Sequence, residues 1–294
     1  METIPEFLQQ HILRYNVLAA IAFVAAALCV VLLAVRFRLQ WIRLLLISAA
    51  SLVGLYLGAR LFGMIAYATY LYREGVPDSA VTIRVLWENA GVVYYGGLFG
   101  FYLSLLPLIR RFLKQPRLAW DVIAVATPLF HTVARIGCYF GRSMVNGVWV
   151  QDPCCYGVKL NNAFCTLFWD SRLPTQLIEA AFNLLLFGTL LTLLLTDRQG
   201  KRRGKLVMLY LVAYPLFRYG IEFFRDDAVR GGFGTQSFSQ IISVLLLLGV
   251  GVYILLVKRH VIKPVPPDPA GVHTSDRREP QEPRKTTEET KTEE

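Results

Sequence analysis

Seven stretches of this chain are each apolar for long enough to cross a lipid bilayer, at 17–36, 44–70, 91–109, 119–140, 175–196, 205–224 and 238–257. The hydrocarbon core takes about 20 helical residues to span. The sequence therefore predicts an all-α, polytopic membrane bundle of about seven transmembrane helices. Hydrophobic residues make up 54% of the 294, above the roughly 45–50% usual in a soluble domain. The first stretch is too long for a removed signal peptide and lacks a small-residue cleavage pattern after a basic start, so it counts as a helix. No separate soluble domain fits between the spans.

Lys and Arg collect on the cytoplasmic side of membrane proteins, and here they alternate between loops. Arg36, Arg38 and Arg43 follow the first span, and Arg110, Arg111, Lys114 and Arg117 follow the third. Arg198, Lys201, Arg202, Arg203 and Lys205 follow the fifth, and Lys258, Arg259 and Lys263 the seventh. The other connections, 71–90, 142–174 and 225–237, mix acids and bases without such runs. Every loop agrees with an outside N-terminus and a cytoplasmic C-terminus. The net charge of +10 then needs no nucleic acid, because anionic membrane lipids suit it better. Residues 1–263 form a membrane domain with an outside loop at 142–174. Residues 264–294 are rich in Pro, Glu, Lys and Thr with almost no large apolar residue, and are expected to be a disordered cytoplasmic tail.

Of five cysteines, Cys29 falls within the first span, Cys138 near the outer end of the fourth, and Cys154, Cys155 and Cys165 in the large outside loop. That compartment permits disulfides, and a bridge from Cys154 or Cys155 to Cys165 or Cys138 is a candidate arrangement. The adjacent pair without a second ligand pair or a nearby His is weak evidence for a zinc site.

Ionisable side chains inside a span are costly and mark functional sites by default. The second span carries Arg60, the fourth His131 and Arg135, the fifth opens with Gln176 and Glu179, and the sixth carries Arg218, Glu222 and Arg225. At about 1.5 Å per residue, Arg135 lies roughly 24 Å and Arg218 roughly 20 Å from the inner side. The third and fifth spans run the other way, placing Tyr94, Tyr95, Gln176 and Glu179 near the outside. These groups therefore share the outer half of the membrane. His131 with Arg135, Gln176 with Glu179, and Arg218 with Glu222 and Arg225 have spacings of three, four or seven, which put each set on one helical face. Arg218 with Glu222 also fits a purely structural ion pair. The excess of arginine over acid points to an anionic ligand, and the planar guanidinium suits phosphate. His131, one turn below Arg135, is either a hydrogen-bonded core residue or a proton carrier.

Gly54 with Gly58, Gly137 with Gly141, and Gly96, Gly97 and Gly100 provide small surfaces for close helix packing. Trp41, Trp87, Trp120 and Trp169 suit interfacial anchors.

Taken in order, LGARLF at 57–62, YYGGLFG at 94–100, ARIGCYFG at 134–141, LPTQLIEA at 173–180, FRYGIEFFRDD at 217–227 and SQIIS at 239–243 resemble the prolipoprotein diacylglyceryl transferase family of bacterial inner-membrane enzymes, over roughly residues 14–257. The resemblance implies a multi-pass enzyme of the bacterial cell membrane that moves the diacylglyceryl group of phosphatidylglycerol to the lipobox cysteine thiol of a prolipoprotein signal peptide. The products are a thioether and glycerol phosphate. It implies Arg135, Arg218, Tyr95 and Glu222 as catalytic residues, and Arg60, Gly96, Gly97, Gly137, Gln176, Glu179 and Arg225 around the substrates. No cofactor or metal is implied.

The motifs depart from many members in three places. Tyr95 stands where His precedes Gly-Gly, Cys138 where Asn follows Arg-x-Gly, and Val148 where Glu follows Asn146-Gly147. A divergent branch with Tyr-Gly-Gly, Arg-Ile-Gly-Cys and Cys-Cys-Tyr-Gly, here Cys154 to Gly157, is a closer match. A phenol ionises near about pH 10 and is a poor base at neutral pH, which leaves Tyr95 to bond substrate or relay a proton. A non-catalytic lipid-binding or lipid-transporting protein on the same scaffold is the rival. A seven-helix receptor or channel would need a polar path reaching both faces, whereas the charges gather on one side.

Overall fold

The computed structural model describes residues 15–140, 142–145, 148–151, 157–160, 162–168, 171–197, 200–226, 232–233 and 236–261. The expected outside N-terminus and cytoplasmic tail, Cys154, Cys155, the Asn146-Gly147 pair, Gly141 and Trp169 lie outside the described residues.

Among the described residues eight α-helices follow one another: α1 (Tyr15–Arg36), α2 (Trp41–Arg73), α3 (Ile83–Asn89), α4 (Tyr94–Phe112), α5 (Pro116–Phe140), α6 (Thr175–Thr196), α7 (Leu206–Ile221) and α8 (Phe238–Lys258). Two short antiparallel ladders stand outside the bundle: β1 (Arg142–Val145) with β2 (Val148–Gln151), and β3 (Gly232–Phe233) with β4 (Gln236–Ser237). Six helices are each long and apolar enough to cross a bilayer, and α4 makes a seventh when joined to α3. The two meet at 103°, so with α4 crossing, α3 lies close to the membrane plane.

This bend was not expected, and the second span also runs on to Arg73. The residues between α3 and α4 are extended, and Thr82 starts α3 by accepting the Val85 N–H at 3.3 Å. Arg60 closes its other end, donating to Ala90 O at 2.5 Å and to Trp87 O while its guanidinium lies 4.7 Å from the Trp87 ring. A helix leaves its last carbonyls unpaired, and an arginine side chain satisfies them here.

The centre of the bundle is α5, buried from Leu118 through Ala126 by its neighbours. The outward faces of α1, α2 and α8 carry exposed Val24, Leu28, Leu46, Val53, Leu57, Leu245 and Leu248; in a bilayer such a face meets lipid tails at no cost.

Two local devices fix the helices around α5. A Cβ on Gly58 would run into the carbonyl oxygen of Gly96, and one on Gly100 into that of Gly54. Glycine is thus what lets α2 and α4 touch backbone to backbone. At the other end of the bundle, buried Asp121 of α5 accepts from the N–H groups of Gly204 (2.5 Å), Leu206 (3.1 Å) and Val207 (3.2 Å), capping α7 from another helix.

Candidate active site

Two clusters of charge occupy one end of the bundle, the end that the loop charges place outside. In the first, α5 presents His131 and Arg135 on one face, one turn apart, and α6 presents Glu179 opposite them. Glu179 Oε2 lies 3.0 Å from Arg135 Nε, and Oε1 lies 3.2 Å from His131 Nε2. Tyr214 of α7 donates its hydroxyl to the same Oε1 at 3.0 Å. Arg135 Nε also donates to His131 Nε2 at 3.1 Å. The imidazole is sandwiched, with Tyr94 stacked at 4.0 Å and Tyr214 edge-on at 5.0 Å between centroids.

The second cluster is built where α7 tightens into a 3-10 turn at Glu222–Phe224. Arg218 Nη1 lies 2.6 Å from Glu222 Oε2, and Arg225 Nη1 lies 3.6 Å from that oxygen. Arg218 Nη2 donates to Ser239 Oγ of α8 at 3.1 Å. Ser243, one turn on, donates to the Ser239 carbonyl at 2.7 Å and meets Tyr95 OH at 2.8 Å. The Ser243 proton being committed, the Tyr95 hydroxyl is the donor in that last bond.

Tyr95 joins the clusters, its ring 5.8 Å from that of Tyr214, and Glu179 feels the charges of Arg218 and Arg225 as well as Arg135. The Arg135, Glu179, Arg218 and Glu222 side chains are 11%, 3%, 4% and 1% exposed. Removal from water is expensive for each ion, which is offset only by close pairing. Among the described residues, Arg135, Arg218 and Arg225 share the two clusters with the carboxylates of Glu179 and Glu222.

An outside segment frames this end. Val158 N–H donates to Phe224 O and Leu173 N–H to Val158 O, both at 3.0 Å, so residues 157–160 run between the start of α6 and the end of α7. Arg172 reaches Gly157 O at 3.1 Å and Asp226 at 3.2 Å. Arg225 is held beside Glu222 by its backbone bridge to Gly157.

Arg135, Glu179, Arg218, Glu222, Arg225 and Tyr95 are thus brought together. Gln176 is buried one turn above Glu179, its Oε1 accepting from Thr175 at 3.5 Å. Arg60 goes instead to the end of α3. Gly96 and Gly97 face α2, where Phe62 and Ala59 meet them, and Gly137 faces Leu18 of α1; all three serve helix contact. Spacing alone did not single out Tyr214, Asn183, Ser239 or Ser243. The four-residue interval from Tyr214 to Arg218 and from Ser239 to Ser243 was the available signal.

A family model described as prolipoprotein diacylglyceryl transferase matches residues 4–257. The chain belongs to this family. It is 31% identical over 215 residues to the phosphatidylglycerol–prolipoprotein diacylglyceryl transferase of Rickettsia bellii (strain OSU 85-389), covering 70% of this chain and 74% of that protein. To the protein of the same name from Helicobacter pylori (strain Shi470) it is 28% identical over 214 residues, 67% of this chain and 69% of that one. The expected family thus holds, and with it the transferase class and the membrane setting. Among the described residues no group of three or more His, Cys, Asp and Glu side chains could hold a metal ion.

Proposed function

We propose that the two arginine clusters carry out the transfer for which the family is named, moving the diacylglyceryl group of phosphatidylglycerol to the lipobox cysteine of a prolipoprotein signal peptide. The observation that carries this reading is the convergence of Arg135 and Arg218, from different helices, on neighbouring buried carboxylates, with Glu179 feeling the charge of both.

The headgroup phosphate of the lipid is the anion this charge suits. As the cysteine sulfur bonds to the glycerol carbon, the carbon–oxygen bond to phosphate breaks, and charge grows on the departing phosphate oxygen. Arginines already oriented toward that position stabilise the growing charge without reorganising. The thiol proton leaves with the thiolate's formation, and glycerol phosphate is a sufficient final acceptor for it. Glu222 and Arg225 position Arg218, Glu179 positions Arg135, and Gln176 lies above Glu179. Tyr95 stands in the wall, where Gly96 and Gly97 bring α4 against α2. Substrates enter laterally from the lipid, in the bacterial inner membrane.

Complementation tests this. A conditional strain depleted of its own diacylglyceryl transferase should be rescued by the wild type and not by Arg135→Ala or Arg218→Ala at equal membrane abundance, with unmodified prolipoprotein accumulating. A well-inserted wild type that yields no lipidated product counts against the reading and favours a lipid-binding role on the same scaffold.

A further inference from the structure

The Nε–H of Arg135 faces two acceptors at nearly equal range, Glu179 Oε2 at 3.0 Å and His131 Nε2 at 3.1 Å. With Nε2 accepting from Arg135, the ring proton belongs on Nδ1, and the approach of Glu179 Oε1 to Nε2 at 3.2 Å is then a contact and not a hydrogen bond. Asn183 of α6, one turn below Glu179, interacts with the ring. His131 Nδ1 and Asn183 Oδ1 are both buried without a fully formed hydrogen bond, a donor and an acceptor complementary to one another. Asn183 is itself oriented by donating to the Glu179 carbonyl at 2.8 Å.

The geometry points to His131 as a positioning residue for Arg135: a neutral acceptor that, with Glu179, fixes the plane of the guanidinium by its Nε edge and so directs its terminal amines toward the lipid phosphate. This rests on the proposed transfer reaction. Arg135 lies in direct contact with the ring nitrogen, while Tyr94 and Tyr214 cover the ring faces. A second cation at this place would push Arg135 away. The ring therefore holds and aims, and takes no proton from the thiol.

The test is steady-state transfer by the full chain in phosphatidylglycerol liposomes with a lipobox peptide, comparing wild type, His131→Gln and His131→Leu. Glutamine places an amide oxygen where Nε2 stands and can accept the same bond; leucine cannot. We expect His131→Leu to lower kcat at least tenfold, with the KM for phosphatidylglycerol within about threefold, and His131→Gln to stay within about threefold of wild type in both. Equal loss in both variants, or no loss in leucine, overturns the inference. If the leucine variant does not fold, the glutamine variant alone decides, since a folded protein impaired tenfold or more means the accepting atom is not what matters. Turnover by wild type with a flat His131 series sinks this inference alone, whereas absence of turnover by wild type removes the transfer reaction and this role with it.

Discussion

Glu179 and Arg135 meet across the α5–α6 contact at 3.0 Å, the carboxylate almost wholly buried and its other oxygen accepting from the Tyr214 hydroxyl. Glu179→Gln keeps the size and one accepting oxygen but removes the charge that offsets Arg135. The loss of folded stability should be clear, on the order of 3–5 kcal/mol for breaking a buried ion pair on one side. Thermal unfolding in detergent, followed by size-exclusion peak height, measures it.

Arg218 presents one nitrogen to Glu222 and another to Ser239, a fork that lysine cannot reproduce. Arg218→Lys should therefore keep membrane insertion yet lose transfer by about 10²-fold or more, the scale set by removing a preoriented donor from a developing anion. Product mass per unit of folded protein checks this. Wild-type turnover in the lysine variant would mean that point charge suffices.

Tyr95 donates to Ser243, and its hydroxyl proton is thereby engaged inside the wall. Tyr95→Phe removes one hydrogen bond, worth about 0.5–1.5 kcal/mol, and should lower transfer by about tenfold or less. A drop of a thousandfold at unchanged stability would instead mark the hydroxyl as a participant in proton transfer.

Asp121 lies at the opposite end of α7 from the site, holding three backbone N–H groups. Asp121→Ala strands these donors, each costing about 1–3 kcal/mol when buried. Its thermal midpoint should fall, while the KM for phosphatidylglycerol in the surviving folded fraction stays near wild type.

The long apolar runs made the spans legible, because each depends on residues adjacent in the chain. The same holds for the faces that carry His131 with Arg135 and Arg218 with Glu222. Partners across helices were not legible. Nothing in the spacing of α5 says that Arg135 pairs with Glu179, or that Asp121 caps a helix more than eighty residues away. Arg60 shows the converse: its position in the second span suggested a place beside substrate, but the 103° turn before α4 brings the end of α3 to it. That turn was hidden because 71–90 read as a plain connection mixing acids and bases, and α3 falls within it. Gly96, Gly97 and Gly137 were noticed beside Tyr95 and Arg135, yet a helix has several faces, and theirs are turned to α2 and α1.

The most direct test of the two-arginine site is reconstitution of the purified chain in liposomes of phosphatidylglycerol, with a synthetic lipobox peptide, reading the peptide by mass spectrometry. The account predicts a peptide heavier by one diacylglyceryl group, glycerol phosphate released in equal amount, and neither product from Arg135→Ala or Arg218→Ala. Undiminished product from both folded arginine variants would contradict it.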